Sequence, residues 1–304
     1  MHSLLSAKQL TVRFPGGVTA LDGLDLEVPN SGITCLLGAN GAGKSTLLEA
    51  AAGLQAISQG RLQVLGREPG TAANRSSVGV MLQDGGLPGS ARARAFVAYV
   101  ARMHPRPQDV DDVLRAVDVD PTSRTPMRRL SGGEQRRVSW AAAMVGNPEA
   151  MLLDEPTAGV DPIGRDLLHR ILRTARSRGA SMIVSTHLIE DVDALADMVV
   201  VLHEGTAVLT GAVQDLRPHN TLIVRSPRPL DQRALLSALP VGATCLASSS
   251  AADSRSYRVQ VPAGIDPAVM STVSSWCAQH SVPTDVSTAD LGSVLWSALR
   301  GERW

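Results

Sequence analysis

The sequence has few aromatic residues, few cysteines and no long apolar run. Aromatic residues make up 3% of the 304 residues, which argues against the stacking platforms that bind single-stranded nucleic acid. Three widely separated cysteines form no CxxC pair, which excludes a disulfide scaffold and a zinc-finger spacing and fits a reducing cytosol. No run approaches the roughly 20 apolar residues of a membrane span, and residues 1–14 lack the apolar core of a signal peptide. We therefore expect a soluble chain, with any membrane part supplied by another polypeptide.

Charge of one sign is also lacking, because 29 Lys and Arg residues balance 29 Asp and Glu residues. This neutrality argues against a nucleic-acid-binding surface over the whole protein, and we expect no nucleic-acid partner. Lys8 and Lys44 are the only lysines, which draws attention to Lys44. Hydrophobic residues reach 44%, enough for a sizeable core, and the length allows two domains.

The first two thirds of the chain alternate short apolar runs with helical patterns. Strands are predicted at 33–37, 151–153, 181–185 and 198–202, and helices at 44–52 and 166–177. This order predicts β-α-β units around a mainly parallel sheet. Between about 85 and 130, Pro105 and Pro107 separate the amphipathic stretches 91–103 and 109–117, and Pro121 and Pro126 follow them. We interpret this region as a helical subdomain inserted into an α/β core.

A break in the pattern at 216–220 predicts a boundary between two domains, 1–216 and 217–304. Beyond it, strands are predicted at 221–225, 243–247, 256–261 and 284–287, helices at 231–239, 266–279 and 289–299, and a turn at 248–252. The order β-α-β-β-α-β is that of a small α+β, ferredoxin-like domain. Its tryptophans, Trp276, Trp296 and Trp304, either anchor a partner or belong to the core and tail.

A glycine-rich segment lies between the predicted strand 33–37 and the predicted helix 44–52. Its sequence, Gly-Ala-Asn-Gly-Ala-Gly-Lys-Ser, fits the phosphate-loop pattern GxxxxGK[ST]. Glycines let successive backbone N–H groups turn toward one anion, and the amino terminus of the helix adds partial positive charge. A lysine here reaches the β- and γ-phosphates, and the following hydroxyl reaches Mg²⁺. We expect nucleotide binding by Gly38, Asn40, Gly41, Ala42, Gly43, Lys44, Ser45 and Thr46.

Two acidic residues, Asp154 and Glu155, follow the apolar run Ala-Met-Leu-Leu. A buried strand thus delivers them to its carboxyl end, where open α/β sheets bind ligands. We expect Asp154, with Ser45, to hold Mg²⁺, and Glu155 to orient or deprotonate the attacking water.

A third motif, Leu-Ser-Gly-Gly-Glu-Gln at 130–135, discriminates among nucleotide hydrolases. Its serine and glycines open a predicted helix, which makes a second anion site. With this motif the chain resembles, over about 4–216, the ATP-binding subunits of ABC transporters. The resemblance implies a P-loop ABC ATPase fold and two subunits that sandwich two ATP molecules. It also implies that four signature residues face the γ-phosphate held by the opposite subunit: Ser131, Gly132, Gly133 and Gln135.

The same resemblance assigns four further residues. Gln83 matches the Q-loop glutamine, a contact of Mg²⁺ and water, and Asp161 matches the D-loop at the dimer interface. His187 matches the switch histidine that touches the γ-phosphate. Phe14 matches the aromatic residue that stacks on adenine. With Glu155, these residues complete an ATPase set in which no motif is degenerate.

The resemblance implies partners as well as chemistry. We expect a second copy of the chain or a homologous ATPase subunit, and a separate membrane permease that holds the protein at the cytoplasmic face of the membrane. Residues 85–88 and the helix 91–103 are the candidates for docking the permease. The segments 161–165 and 185–191 resemble the branch that exports drugs, antibiotics or lipid-linked molecules, although importers of amino acids or peptides stay open. The alternative function is that of a soluble ABC ATPase of the iron–sulfur assembly type.

Overall fold

The computed structural model describes residues 3–83, 86–218, 220–227, 229–251, 254–262, 264–280 and 285–300. The chain divides into two compact units, one extending to Val213 and the other beginning at Gln214. Each unit has its own buried apolar cluster. The domain boundary after residue 216 stays a prediction.

The first unit is built from two groups of elements. Its strands are β1 (Leu5–Arg13), β2 (Thr19–Val28), β3 (Ile33–Leu37), β4 (Gln59–Val64), β5 (Val78–Met81), β6 (Ala150–Leu153), β7 (Ser181–Thr186), β8 (Met198–His203) and β9 (Thr206–Ala212). Its helices are α1 (Lys44–Ala51), α2 (Ala72–Arg75), α3 (Ala93–Ala101), α4 (Val110–Ala116), α5 (Gly132–Met144), α6 (Pro162–Ser177) and α7 (Ile189–Leu195), and α8 (Val213–Leu216) follows. A 3₁₀ turn, Met127–Arg129, precedes α5.

The larger sheet carries the residues of interest at one edge. Its strand order is β5-β6-β7-β3-β8-β9, parallel throughout except for the antiparallel β8–β9 pair. Every residue of β3, β6 and β7 is buried, as expected for parallel strands covered on both faces. Because the carboxyl ends of parallel strands meet at one edge, the phosphate loop, the acidic pair and His187 come together there.

A second sheet, β2-β1-β4, is antiparallel and was not predicted from the sequence. Burial along β2 alternates for much of its length, because one face packs on the core while the other faces solvent. Half-apolar strands lack the continuous apolar runs that identified β3, β6 and β7. The predicted mainly parallel sheet therefore describes the larger sheet only.

The inserted helices α3 and α4 lie beside α5, with Val97 and Leu114 fully buried. Near the carboxyl end of α5, a Cβ atom on Gly79 would lie 2.0 Å from the carbonyl oxygen of Ala143. Only glycine therefore allows β5 and α5 to approach so closely. The start of the predicted subdomain at Gly85 lies outside the described residues.

The second unit contains β10 (Thr221–Ser226), α9 (Gln232–Ser237), β11 (Thr244–Ala251), β12 (Ser254–Gln260), α10 (Pro267–Gln279) and β13 (Asp285–Thr288), followed by α11 (Leu291–Leu299). Its sheet order is β11-β12-β10-β13, antiparallel throughout. In this order the hairpin strand β12 lies between β10 and β11, as in a split β-α-β arrangement.

Two sequence predictions in this unit can be compared directly with the structure. The turn predicted at 248–252 is wrong up to Ala251, because β11 continues there through backbone pairing with β12, and residue 252 lies outside the described part. Trp276 is buried in the core, whereas Trp296 is 57% exposed. Trp304 and residue 284 lie outside the described residues.

Across both described units, no helix has the length and apolar character that crossing a bilayer requires.

Candidate active site

The segment between β3 and α1 has the backbone of an anion-binding loop. Gly41 and Gly43 have φ values of +82° and +101°, a region that glycine adopts without strain. A Cβ atom on Gly43 would lie 2.6 Å from the carbonyl oxygen of Ala20. Gly43 is the N-cap residue of α1, and the helix has no side-chain cap and no acidic residue in its first turn. Its first N–H groups are therefore suited to phosphate oxygens.

Lys44 lies inside this loop and is 5% exposed. Its Nζ donates hydrogen bonds to the carbonyl oxygens of Gly38 at 2.8 Å and Ala39 at 3.1 Å. The same Nζ is 3.7 Å from Oε1 of Glu155. Burial lowers the pKa of Lys44, and the carboxylates of Glu155 and Asp154 oppose this shift only in part.

Glu155 directly follows Asp154 at the end of β6 and has a positive φ of 43°. Backbone of this kind costs a non-glycine residue about 1 kcal/mol and is often found at functional sites. The N–H of Glu155 donates to the Ser185 hydroxyl at 2.8 Å, which holds this conformation. Oε1 of Glu155 is 3.3 Å from Nδ1 of His187 and also faces Lys44. A carboxylate, a cation and an imidazole thus converge beside the phosphate loop.

Asp154, the predicted magnesium ligand, lies directly after β6. It is 1% exposed, and its carboxylate accepts a hydrogen bond from the Ser185 hydroxyl. Among the described residues, no group of three or more His, Cys, Asp or Glu side chains is arranged to hold a metal ion by itself. Proteins commonly bind Mg²⁺ through one or two side-chain oxygens together with substrate phosphates and water. Asp154 and the Ser45 hydroxyl are the oxygens that this site offers.

The signature segment opens α5 with a reciprocal cap. The Ser131 hydroxyl accepts from the Glu134 N–H at 3.2 Å, and the Glu134 carboxylate accepts from the Ser131 N–H at 2.8 Å. The Ser131 hydroxyl also donates to the Glu134 carboxylate, and the two hydrogen bonds that this carboxylate accepts from Ser131 lower the pKa of Glu134. Among the described residues, a Cβ atom on Gly132 or Gly133 would meet no atom within 4 Å, and neither glycine has a positive φ. Packing against the described part of the chain therefore does not require these glycines.

The remaining predicted residues lie apart from this cluster or at its border. Gln83 is exposed, two residues beyond β5. Phe14 is half-buried at the turn after β1. Asp161 is exposed and caps α6, accepting a hydrogen bond from the Gly164 N–H at 2.8 Å. Around the loop, Asn40 is exposed, whereas Ala42 and Thr46 are buried.

The sequence analysis did not predict several residues that hydrogen-bond to the segments carrying Asp154, Glu155 and His187. Ser185 joins Asp154 to the backbone of Glu155, as described above. The indole Nε1 of Trp140, on α5, donates to the Pro156 carbonyl oxygen at 3.1 Å. The carboxylate of Asp191, on α7, accepts hydrogen bonds from Thr157 and Thr186. A hydroxyl pair directly ahead of His187 was the available signal, but isolated serines and threonines have many local uses.

Comparison with known proteins identifies the family. Residues 21–158 match the family model described as ABC transporter. The chain is 37% identical over 230 residues to the cobalt import ATP-binding protein CbiO of Rhodobacter capsulatus, covering 70% of this chain and 80% of that protein. It is 32% identical over 209 residues to the daunorubicin resistance ATP-binding protein DrrA3 of Streptomyces coeruleorubidus, covering 66% of each.

Two further likenesses agree with this result. The Fe(3+) ions import ATP-binding protein FbpC of Streptomyces coelicolor is 36% identical over 232 residues, covering 73% of this chain and 66% of that protein. The structure of cbiO1 from Clostridium perfringens, part of the ABC transporter complex cbiONQ, superposes with a TM-score of 0.60 at 30% identity, covering 71% of this chain and 91% of that chain.

The chain belongs to the ABC transporter family, as an ATP-binding subunit with the P-loop ABC ATPase fold. It is an ATP-hydrolysing enzyme that uses ATP with Mg²⁺. The predicted fold class, enzyme class and cofactors are confirmed. The narrower prediction of an exporter is not supported, because CbiO and FbpC carry import in their names.

Proposed function

We propose that Glu155, Lys44 and His187 form the hydrolytic centre of this ATPase. The observation that carries the proposal is the position of the Glu155 carboxylate, 3.7 Å from Lys44 Nζ and 3.3 Å from His187 Nδ1. Glu155 accepts a proton from the water that attacks the γ-phosphorus, and the products are ADP and phosphate. Lys44 leaves its loop carbonyls to hold the β- and γ-phosphates, and His187 contacts the γ-phosphate.

The other predicted residues complete the nucleotide site in this proposal. Phe14 stacks on adenine, and Gly38, Asn40, Gly41, Ala42, Gly43 and Thr46 form the cradle with Ser45. Asp154, Ser45 and Gln83 would hold Mg²⁺, which would supply positive charge beside the transferred phosphate. Supporting evidence is the buried carboxylate of Asp154 at the end of β6, oriented by Ser185.

We also propose that a second ATPase subunit completes each site. Ser131, Gly132, Gly133 and Gln135 face the nucleotide of the opposite subunit, and Asp161 lies at the interface. The proposal is supported by Gly132 and Gly133, whose missing side chains leave space that no described residue fills. The partner is a second copy of this chain or a homologous subunit.

The hydrolytic proposal is tested with Glu155→Gln. The amide cannot take up the proton, so we expect ATP turnover to fall at least 100-fold, while ATP binding persists and an ATP-bound dimer accumulates. Phosphate release and size-exclusion chromatography with ATP and Mg²⁺ measure the two effects. Glu149→Gln, an exposed change just ahead of β6, is the matched control and is expected to keep full turnover. Undiminished turnover in Glu155→Gln would remove this residue from the reaction.

For the whole protein, we propose that the ATPase drives a separate membrane permease and is held by it at the cytoplasmic face of the membrane. The names of the relatives support transport over the iron–sulfur assembly alternative. Residues 86–88 and α3 are the proposed docking surface. On α3, Tyr99 is 60% exposed, and Met103, two residues beyond the helix, is 57% exposed. The neighbouring residue 85 lies outside the described part.

For direction, we keep export as the hypothesis on two observations. The segments 161–165 and 185–191 resemble the exporting branch, and DrrA3 is named for daunorubicin resistance. The import names of CbiO and FbpC oppose it. Inside-out vesicles with the chain and its permease separate the two. External ATP drives substrate into the lumen for an exporter, whereas an importer empties preloaded vesicles.

A further inference from the structure

A buried carboxylate on α7 lies behind the hydrolytic centre without entering it. Asp191 is 1% exposed. Its Oδ2 accepts hydrogen bonds from the hydroxyls of Thr157 at 2.8 Å and Thr186 at 2.9 Å, and its Oδ1 is 3.1 Å from Nε2 of His169. One carboxylate therefore joins three segments that are distant in the sequence.

Each of these segments carries a residue of the proposed site. Thr157 lies two positions after Glu155, in the segment that leads to Asp161. Thr186 directly precedes His187, and its hydroxyl also accepts from the Leu188 N–H at 3.0 Å, so that the two hydrogen bonds flank the histidine.

The third segment is α6, which begins after Asp161 and carries His169. His169 is 6% exposed, so its hydrogen bond to Asp191 is shielded from water. The distance between Glu155 and His187 thus depends on two loops that share one buried acceptor.

The energetics of this group favour an intact network. Burial raises the pKa of Asp191, but hydrogen bonds from His169, Thr157 and Thr186 outweigh this effect, and the pKa lies below its usual value. A buried carboxylate that loses a donor keeps its desolvation cost without the compensating bond. Removal of one donor is therefore expected to shift the loops rather than to leave a gap.

We infer that Asp191 is a positioning residue, whose carboxylate fixes the loops of Glu155 and His187 at the separation that hydrolysis requires. The inference rests on the proposed roles of those two residues. We assign Asp191 no contact with the nucleotide or the attacking water. Its loss is therefore expected to lower the rate of the chemical step more than the affinity for ATP. A displacement of about 1 Å at a reacting group can cost up to 100-fold in rate.

The experiment compares three variants of the full chain. Thr157→Val removes one donor and keeps the shape, and Thr157→Ser restores the hydroxyl. Thr11→Val is the matched control, because Thr11 is also buried and its hydroxyl accepts one hydrogen bond, from the Gly23 N–H on the other sheet. We expect Thr157→Val to lower kcat about tenfold with KM changed less than twofold, Thr157→Ser to recover most of kcat, and Thr11→Val to affect stability alone.

A second pair keeps the test decisive if Thr157→Val does not fold. His169→Phe removes the donor to Oδ1, and His169→Gln replaces it with an amide N–H. We expect kcat to fall in the first variant and to recover in the second. Wild-type kcat in folded Thr157→Val or His169→Phe, or an equal loss of kcat in Thr11→Val, would overturn the positioning role.

The failure of this inference is distinguishable from the failure of the proposed function. If Glu155→Gln retains turnover, the hydrolytic centre is wrong whatever the threonine variants do. If Glu155→Gln abolishes turnover and Thr157→Val keeps wild-type kcat, only the positioning role is wrong.

Discussion

At the scale of single residues, the site is a set of charges held by neutral groups. The cation of Lys44 lies against two carbonyl oxygens, and the backbone of Glu155 is held in a strained conformation by the hydroxyl of Ser185. Neutral dipoles fixed by the fold stabilise charge without reorganising during the reaction. The fold itself therefore holds these charged groups in place before any ligand binds.

The near absence of lysine gives a clean test of the phosphate loop. Lys44→Ala removes the buried cation, so we expect the affinity for ATP to fall at least tenfold in calorimetric titration. Lys8→Ala is the control, because Lys8 is the other lysine of the chain and is exposed on β1. Equal ATP affinity in Lys44→Ala and the wild type would contradict the assignment of this loop.

At the scale of elements, the signature helix α5 has two features at its start: the structural cap formed by Ser131 and Glu134, and the glycine surface that we assign to the nucleotide of the opposite subunit. Gly133→Ala places a methyl group in open space within the chain and suits a helix, so we expect thermal stability to be kept or raised. ATP turnover should nevertheless fall at least tenfold, because the methyl group occupies the space that we assign to the nucleotide of the opposite subunit.

The control for this prediction lies on the same helix. Ser139→Ala also favours helix and removes the hydrogen bond from its hydroxyl to the Gln135 carbonyl oxygen. It should leave turnover intact. Full activity in Gly133→Ala would argue against a ligand at Gly133.

The elements also show which parts of the fold the sequence predicts. The strands β3, β7 and β8 were predicted to within one residue, because buried parallel strands are continuous apolar runs that end at glycine, histidine or polar residues. The antiparallel sheet was not predicted, because its strands are only half apolar. The residues of the phosphate loop were predicted from their motif, whereas Ser185 and Asp191 were not predicted. Ser185 bonds to Asp154 and Glu155, and Asp191 bonds to Thr157, across 30 or more residues of sequence, and no local pattern shows such pairs.

At the scale of the whole molecule, the decisive question is what the ATPase drives. We expect Glu155→Gln, loaded with ATP and Mg²⁺, to recover a polytopic membrane protein from native membranes in mild detergent. The physical reason is that the trapped nucleotide-bound state keeps the docking surface in one conformation. Lys44→Ala serves as the control that lacks this state. Recovery of soluble proteins alone would favour the iron–sulfur assembly alternative.

The close contact at Gly79 has a mechanical consequence. Because Gly79 has no side chain, α5 lies directly against the backbone of β5. Gln83 follows two residues after the end of β5. Because β5 and α5 are in direct contact at Gly79, we expect a rotation of α5 to move β5 and, with it, the segment that carries Gln83. A larger residue at position 79 would force β5 and α5 apart, so we expect it to weaken this coupling.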